Sequence, residues 1–285
     1  MANTIQLKRR IKTAQNVSKT TRAMQMIAAS KMKRAQEAAL ATRAYVEKIT
    51  MISKNLIHKL DYKSDHPYLV TNKSEKTLFM IFSPDKGLCG GLITALAKEY
   101  LTLHKDSDIF LVTVGKKIEI HAARSNNALI ASFEFGTSLP TMDKVYPLVN
   151  LIDDYLLTGK VSSVKILSSN FINIFTQKPT IHTILPIKLT NNQNQKIIES
   201  FGLFEPSISE ILPSLLKRFL EITVYQLLLE SFVSEQSARM ISMQNATDNA
   251  KDIIQDLTLE YNKARQAKIT NEILDIAGGA ISANT

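Results

Sequence analysis

The sequence has little of what covalent or metal chemistry requires. It contains one cysteine, Cys89, which excludes an internal disulfide bond and a cysteine-cluster metal site. Its five histidines lack the HxxxH or HExxH spacing of a zinc site, so we expect no bound metal. No run approaches the roughly 18 apolar residues that cross a bilayer, and the N-terminus lacks the apolar stretch of a secretory signal. We therefore expect a protein that stays inside the cell.

Glycine and proline are absent from long stretches at both ends. The first proline is Pro67, the first glycine is Gly87, and neither residue occurs from Ser214 to Ala277. Because both residues disfavour helix interiors, their absence predicts one long helix at each end rather than a bundle with turns. Gly278 and Gly279 follow the second run, and we expect the helix to end there.

Each of these ends carries a seam of apolar and small residues at alternate steps of four and three. A spacing of 3.5 residues over several heptads predicts a left-handed coiled coil. A helix folded back on a globular core is the alternative, but such helices usually run about 8 to 20 residues. The N-terminal seam is Leu7, Ile11, Ala14, Ser18, Thr21, Gln25, Ala28, Met32, Ala35, Ala39, Thr42, Val46, Ile49, Ser53 and Leu56. The C-terminal seam is Ile208, Leu212, Leu215, Phe219, Ile222, Gln226, Leu229, Val233, Gln236, Met240, Met243, Thr247, Ala250, Ile254, Leu257, Tyr261 and Ala264.

The middle of the chain has the pattern of an α/β domain. Apolar runs predict strands, helical stretches lie between some of them, and the order favours a mainly parallel, Rossmann-like sheet. The predicted strands are 77–84, 108–115, 128–135, 163–175 and 181–187, and the predicted helices are 91–104 and 142–157. We therefore divide the chain into an N-terminal coiled-coil helix (1–60), a central α/β domain (74–195, with an exit loop at 191–199) and a C-terminal coiled-coil helix (207–285).

The connectivity predicts how the two helices pair. If one helix enters a compact domain and the other leaves it, they run antiparallel, with both chain termini at the far end. The C-terminal helix is the longer one, so its last turns, including ILDIAGGAISA, should project beyond the start of the first. The expected molecule is a shaft on a globular foot.

The best candidate for a ligand site is SPDKGLCGGL, from Ser83 to Leu92, where a strand gives way to a helix. Helix N-termini bind phosphate in α/β folds, but the three glycines match neither a P-loop nor a GxGxxG fingerprint. A tight turn explains them better, and Cys89 is better read as a buried small residue than as a nucleophile. We expect no catalytic residue and no cofactor.

The net charge of +9 is concentrated at the N-terminus. Residues 1–60 carry 13 basic against 2 acidic side chains, whereas residues 207–285 carry 7 against 10. Such asymmetry implies an acidic partner: nucleic acid, anionic lipid or an acidic protein. The shortage of aromatic and bulky apolar residues in the first helix favours an acidic protein. The basic stripe that could face it is Lys8, Arg9, Lys12, Lys19, Arg22, Lys33 and Arg34.

Three stretches resemble the gamma subunits of F-type ATP synthases. They are Leu7 to Gln36, Phe82 to Thr94 (FSPDKGLCGGLIT) and Ser234 to Ala280. The resemblance implies a non-catalytic rotor shaft, which carries torque from a membrane ring of c subunits to a catalytic hexamer of alpha and beta subunits. It also implies the epsilon subunit as a partner, and no nucleic acid.

The resemblance further implies which residues touch the surrounding subunits. These rotor-to-stator positions fall on Met24, Arg239, Arg265, Gln266 and Thr270. The redox cysteine pair of chloroplast relatives is missing here. The family pattern begins almost at Met1, which implies no cleavable transit peptide and a bacterial protein held at the cytoplasmic face of the inner membrane through its complex. A free-standing basic coiled-coil scaffold or nucleic-acid-binding protein is the alternative, and an enzyme with nucleotide at Ser83 to Leu92 comes third.

Overall fold

A computed structural model describes residues 4–59, 66–72, 74–103, 109–125, 127–187 and 207–282. The two ends of the chain form long helices, α1 (Thr4–Lys59) and α5 (Ile208–Ser282). Between them lie β1 (Thr77–Phe82), α2 (Leu92–Leu103), β2 (Ile109–Val114), α3 (Glu119–Ala122), β3 (Ala128–Phe133), α4 (Tyr146–Leu157), β4 (Ser163–Phe171) and β5 (Gln177–Leu185). The predicted exit loop at 191–199 lies outside the described residues.

The chain divides into two compact units. The terminal unit consists of the chain up to Ile27 and from Met240 onward. The sheet unit spans Ala28–Arg239 and so contains the strands together with parts of both long helices.

The terminal unit confirms the predicted coiled coil. From Ile5 to Ile27 the only buried or half-buried residues are the six seam positions. On α5 every seam residue from Met240 to Ala264 is buried or half-buried. The hydroxyl oxygens of Thr21 and Thr247 lie 2.7 Å apart, so the two seams meet each other.

The last turns of α5 lie beyond this pairing, as predicted. Arg265 to Leu274 and Ile276 are all exposed. The predicted stop at Gly278 and Gly279 is wrong, because the helix continues to Ser282. Glycine in a helix interior costs only about 1 kcal/mol relative to alanine, which two residues near the end of a 75-residue helix can tolerate.

The sheet unit contains one five-stranded sheet in the order β3-β2-β1-β4-β5. β1, β2, β3 and β4 are parallel, whereas β5 runs antiparallel to β4. All five predicted strands are present, and the prediction of a mainly parallel sheet is confirmed. The runs of Ile, Val, Leu and Phe suit strands covered on both faces.

Each face of the sheet has its own apolar core. α2 covers one face through Leu96, Ala97 and Tyr100, which cluster with Phe79 and Leu111. On the other face the cluster joins alternate strand residues to buried residues of α4, such as Leu148 and Ile152, and of α5, such as Leu216, Leu220 and Val224. This second cluster holds α5 against the sheet.

Within the sheet unit α1 and α5 also pair in antiparallel directions. Ala35 is fully buried in a cluster with Phe232 and Val233, and further along α1 the side chain of Tyr45 interacts with the Arg218 guanidinium and raises its pKa. All N-terminal seam residues of this unit, from Ala28 to Leu56, are buried or half-buried.

Candidate partner-contact surfaces

The first candidate surface is the exposed side of α1 in the terminal unit. Met24 is 40% exposed, and the predicted stripe residues of this unit are exposed as well: Lys8, Arg9, Lys12, Lys19 and Arg22. No acidic residue occurs in the chain before Glu37. The charged side chains of this surface are therefore all positive, which suits an acidic partner.

In the sheet unit the basic residues of α1 have different environments. Lys33 and Arg34 are exposed, as a partner contact requires. Lys31 is half-buried, and its ammonium donates a 2.6 Å hydrogen bond to the carbonyl of Thr137 in the loop after β3. Sequence reasoning did not single out Lys31, because spacing along a helix does not tell which lysine meets a loop more than 100 positions away.

Arg239, predicted to contact a partner, has its guanidinium directed into the sheet unit. Its Nη1 lies 2.8 Å from a carboxylate oxygen of Glu235, one turn earlier on α5. Its Nη2 donates to the carbonyls of Lys86 (3.0 Å) and Gly87 (3.3 Å), and Nε lies 3.4 Å from the Gly87 carbonyl. The side chains of Arg239 and Glu235 are only 13% and 9% exposed.

Burial controls the protonation of the groups around Arg239. It raises the pKa of Glu235, which the neighbouring Arg239 cation partly opposes. It also raises the pKa of the Cys89 thiol, while Arg239 again acts in the opposite direction. Cys89 is 1% exposed, so the prediction of a buried cysteine is confirmed, and a raised thiol pKa disfavours nucleophilic chemistry.

The carbonyls that Arg239 binds belong to the turn between β1 and α2, Ser83 to Gly91. Gly90 has a φ of 57° and Leu88 one of 65°, so two residues of the turn adopt the left-handed conformation. Gly115, directly after β2, lies against the turn. A Cβ at this position would lie 1.8 Å from the Ser83 carbonyl oxygen, so only glycine fits there. The tight turn predicted from the glycines is present.

A cleft opens beside this turn at the carboxyl edge of the sheet, where open α/β sheets usually bind ligands. It is lined by Ser83, Asp85, Gly115, Gly136 and Glu235, among others, and its charged lining groups are two carboxylates. Asp85 accepts a hydrogen bond from the Lys116 amide at 2.9 Å and another from the Gly136 amide. A phosphate would meet negative charge here, which argues against the nucleotide-enzyme alternative.

The second candidate surface is the exposed end of α5 in the terminal unit. Arg265, Gln266 and Thr270 are all exposed there. The Thr270 hydroxyl donates to the Gln266 carbonyl (3.0 Å), so it is occupied within the helix. The same segment exposes four large apolar side chains, of which the last three belong to the tip predicted to project: Ile269 (47%), Ile273 (60%), Leu274 (62%) and Ile276 (74%). Exposed apolar side chains grouped in this way are typical of a surface that a partner covers.

Comparisons with known proteins agree on one family. The model of the family described as ATP synthase matches residues 3–282. A protein of Dehalococcoides mccartyi named ATP synthase gamma chain is 42% identical over 98% of this chain and 99% of its own length. One of the same name from Roseiflexus castenholzii is 35% identical over 98% of each chain.

Solved structures share the fold. A chain from the central stalk and c-ring structure of Tetrahymena thermophila mitochondrial ATP synthase has a TM-score of 0.59 at 22% identity, over 80% of this chain and 99% of that one. A chain from the Euglena gracilis mitochondrial ATP synthase (OSCP/F1/c-ring, rotational state 3) has a TM-score of 0.56 at 17% identity, over 94% of both.

Proposed function

Because the chain belongs to the ATP synthase gamma chain family, we propose that it is the central rotor shaft of an F-type ATP synthase. In this role it transmits torque from an ion-driven c-ring to a catalytic hexamer of alpha and beta subunits. Rotation of an asymmetric shaft changes its contacts with each beta subunit in turn. Contacts with the shaft shift a beta subunit between conformations only if they stabilise one conformation more than the other. By stabilising different conformations in turn, the rotating shaft would drive the binding, synthesis and release of ATP.

The observation that best supports the proposal is the construction of the terminal unit. Small residues, Ala14, Ser18 and Thr21, form the middle of the α1 seam, whereas the facing α5 seam carries Ala250 together with larger residues such as Met243. A stretch of small residues on one helix lets the other approach closely, at the cost of the apolar area that large side chains would bury. A thin, positively charged pair of helices suits a narrow opening lined by acidic loops.

We assign two contact regions to the surrounding subunits. Met24, with Lys33 and Arg34 further along α1, would face acidic loops of beta subunits. The second region, Arg265, Gln266 and Thr270, would lie in the opening of the hexamer. There the surrounding subunits would bury the exposed apolar side chains of Ile269 and Ile273. The epsilon subunit and the c-ring would contact other parts of the chain.

The chain itself would carry no bond chemistry. The cleft at the sheet edge presents the carboxylates of Asp85 and Glu235, a poor environment for ATP. Among the described residues no helix is long and apolar enough to cross a bilayer. We propose that the chain is a peripheral member of a membrane complex at the cytoplasmic face of a bacterial inner membrane, attached through the c-ring.

Affinity purification of the tagged full-length chain from its own cells tests the proposal. We expect the alpha, beta, epsilon and c subunits in one complex that hydrolyses ATP, whereas the purified chain alone does not. Recovery of nucleic acid without these subunits, with binding that falls steeply as salt rises, would favour the scaffold alternative.

A further inference from the structure

We propose that Arg239 is a positioning residue that fastens the turn between β1 and α2 to helix α5, so that the sheet and this part of α5 move as one body. The inference rests on the proposed function, because it identifies where torque passes within the sheet unit. It assigns Arg239 a role inside the chain in place of a contact with another subunit.

The guanidinium geometry carries the argument. Nη1 meets the Glu235 carboxylate, while Nη2 and Nε meet the carbonyls of Lys86 and Gly87. Every nitrogen of the group therefore has a partner within the sheet unit. A subunit outside the chain that drew the Arg239 guanidinium away from these partners would break a buried ion pair and leave the Glu235 charge without its counterion.

The turn that Arg239 binds is also anchored to the sheet. The Asp85 carboxylate accepts hydrogen bonds from the amides of Lys116 and Gly136, which follow β2 and β3. The Ser83 amide donates to the Val114 carbonyl at 2.8 Å. Ser83 and Asp85 thus hydrogen-bond the turn to the sheet, and the contacts of Arg239 with the next two residues of the turn connect it to α5.

Directional contacts do what the apolar core cannot. The cluster that holds α5 against the sheet is non-directional, so it resists separation better than it resists sliding along the helix axis. Charge-assisted hydrogen bonds fix both distance and direction. Arg239 therefore prevents α5 from sliding or turning against the sheet when load is applied.

The only cysteine of the chain reports directly on this contact. Cys89 lies two residues after Gly87 and is 1% exposed. We would measure the alkylation rate of Cys89 by mass spectrometry in the purified full-length chain, comparing the wild type with Arg239→Gln. Loosening of the turn should raise the rate by at least about tenfold, since bonds to a charged group are lost. Loss of the Arg239 charge alone raises the thiol pKa and should slow the reaction, so the two effects have opposite signs.

The matched control is Arg43→Gln. Arg43 forms an Arg–Glu pair with Glu47 at the same four-residue spacing, but both side chains are about 70% exposed. The control should leave Cys89 alkylation unchanged. Because Arg239→Gln leaves Glu235 unpaired and could unfold the chain, a second variant, Glu235→Leu/Arg239→Met, replaces the buried pair with apolar groups, an exchange that is often neutral for stability. It should also expose Cys89.

The mechanical half is tested in the assembled complex in membrane vesicles. With Arg239→Gln and the double variant we expect ATP hydrolysis to continue while ion pumping per ATP is lost. Unchanged or slower Cys89 alkylation overturns the proposal, and so does faster alkylation with intact pumping. Lost pumping with unchanged alkylation also overturns it, in favour of a contact between Arg239 and another subunit. If the wild-type chain forms no complex, the proposed function fails, whereas the alkylation rates still decide whether Arg239 holds the turn.

Discussion

The hydroxyl of Thr21 on α1 lies 2.7 Å from the hydroxyl of Thr247 on α5. Each hydroxyl also lies near a carbonyl of its own helix, that of Ser18 for Thr21 and that of Met243 for Thr247. Because each hydroxyl has one proton, one threonine donates across the seam and the other donates to its own carbonyl. The two threonines thus form a polar contact between the two seams, in which each hydroxyl has partners. Such a polar pair within an otherwise largely apolar seam helps to fix the register of the two helices.

The first prediction concerns this pair. Thr247→Val leaves the half-buried Thr21 hydroxyl without its partner across the seam, and we expect a loss of about 1 kcal/mol in the free energy of unfolding. Thr21→Val/Thr247→Val removes both hydroxyls together and should cost less than the sum of the single changes. Urea unfolding of the purified chain measures both. Thr13→Val is the control, because Thr13 is exposed and its hydroxyl bonds only within α1. If the loss in the double variant equalled the sum of the two single losses, the direct contact between the hydroxyls would be contradicted.

The second prediction concerns Gly115. Its φ is 105° and a Cβ would lie 1.8 Å from the Ser83 carbonyl oxygen, so Gly115→Ala forces the backbone to move. We expect a loss of at least about 3 kcal/mol in the free energy of unfolding. Gly159→Ala is the matched control, since Gly159 also has a positive φ but nothing lies within 4 Å of the added Cβ. About 1 kcal/mol is expected there, and equal losses for the two variants would refute the steric account.

The third prediction concerns pH and Glu235. Burial raises the folded-state pKa of this carboxyl above its usual 4.5, so between 4.5 and the folded value the folded chain binds more protons than the unfolded chain. The contribution of Glu235 to stability is therefore fully present below 4.5 and is lost as pH rises through the folded pKa. Arg239 and Lys31 oppose this shift and Asp85 adds to it. Glu235→Gln should make the free energy of unfolding fall less steeply with pH above 4.5; an unchanged slope would show that Glu235 is not the group responsible.

The fourth prediction concerns Met24. Met24→Lys adds a cation at an exposed position of α1 and should create an ion pair with an acidic beta loop that an uncharged side chain can slide past. We expect continued ATP hydrolysis with reduced ion pumping in the assembled complex. Met26→Lys, at a more exposed methionine about 200° further around the helix, should have a smaller effect. If pumping is unchanged in Met24→Lys, the assignment of Met24 to the contact is wrong.

The long helices and their seams could be predicted from the sequence because both signals are local. A spacing of 3.5 residues and the lack of glycine and proline identified positions from Leu7 to Leu56 and from Ile208 to Ala264 that are all buried or half-buried. The strands followed from short apolar runs in the same way. The predicted end of α5 at Gly278 and Gly279 was wrong, because a pair of glycines lowers the preference for helix without forbidding it.

The environment of Arg239 could not be predicted. Its four-residue spacing from Glu235 indicates an ion pair on one helix face, but nothing local shows that this face meets the turn at Lys86 and Gly87, more than 150 positions away. The same limit applies to Lys31, which looks like its neighbour Lys33 until the fold brings Thr137 to it. Long-range polar contacts depend on how the helices rest on the sheet, and that is decided by packing over the whole unit.

Observation of rotation within the complex tests most directly whether the chain is a rotor shaft. A bead attached to the chain, with the alpha and beta subunits fixed to a surface, should turn continuously in one direction while ATP is hydrolysed. A bead that stays in place during hydrolysis would contradict the central claim.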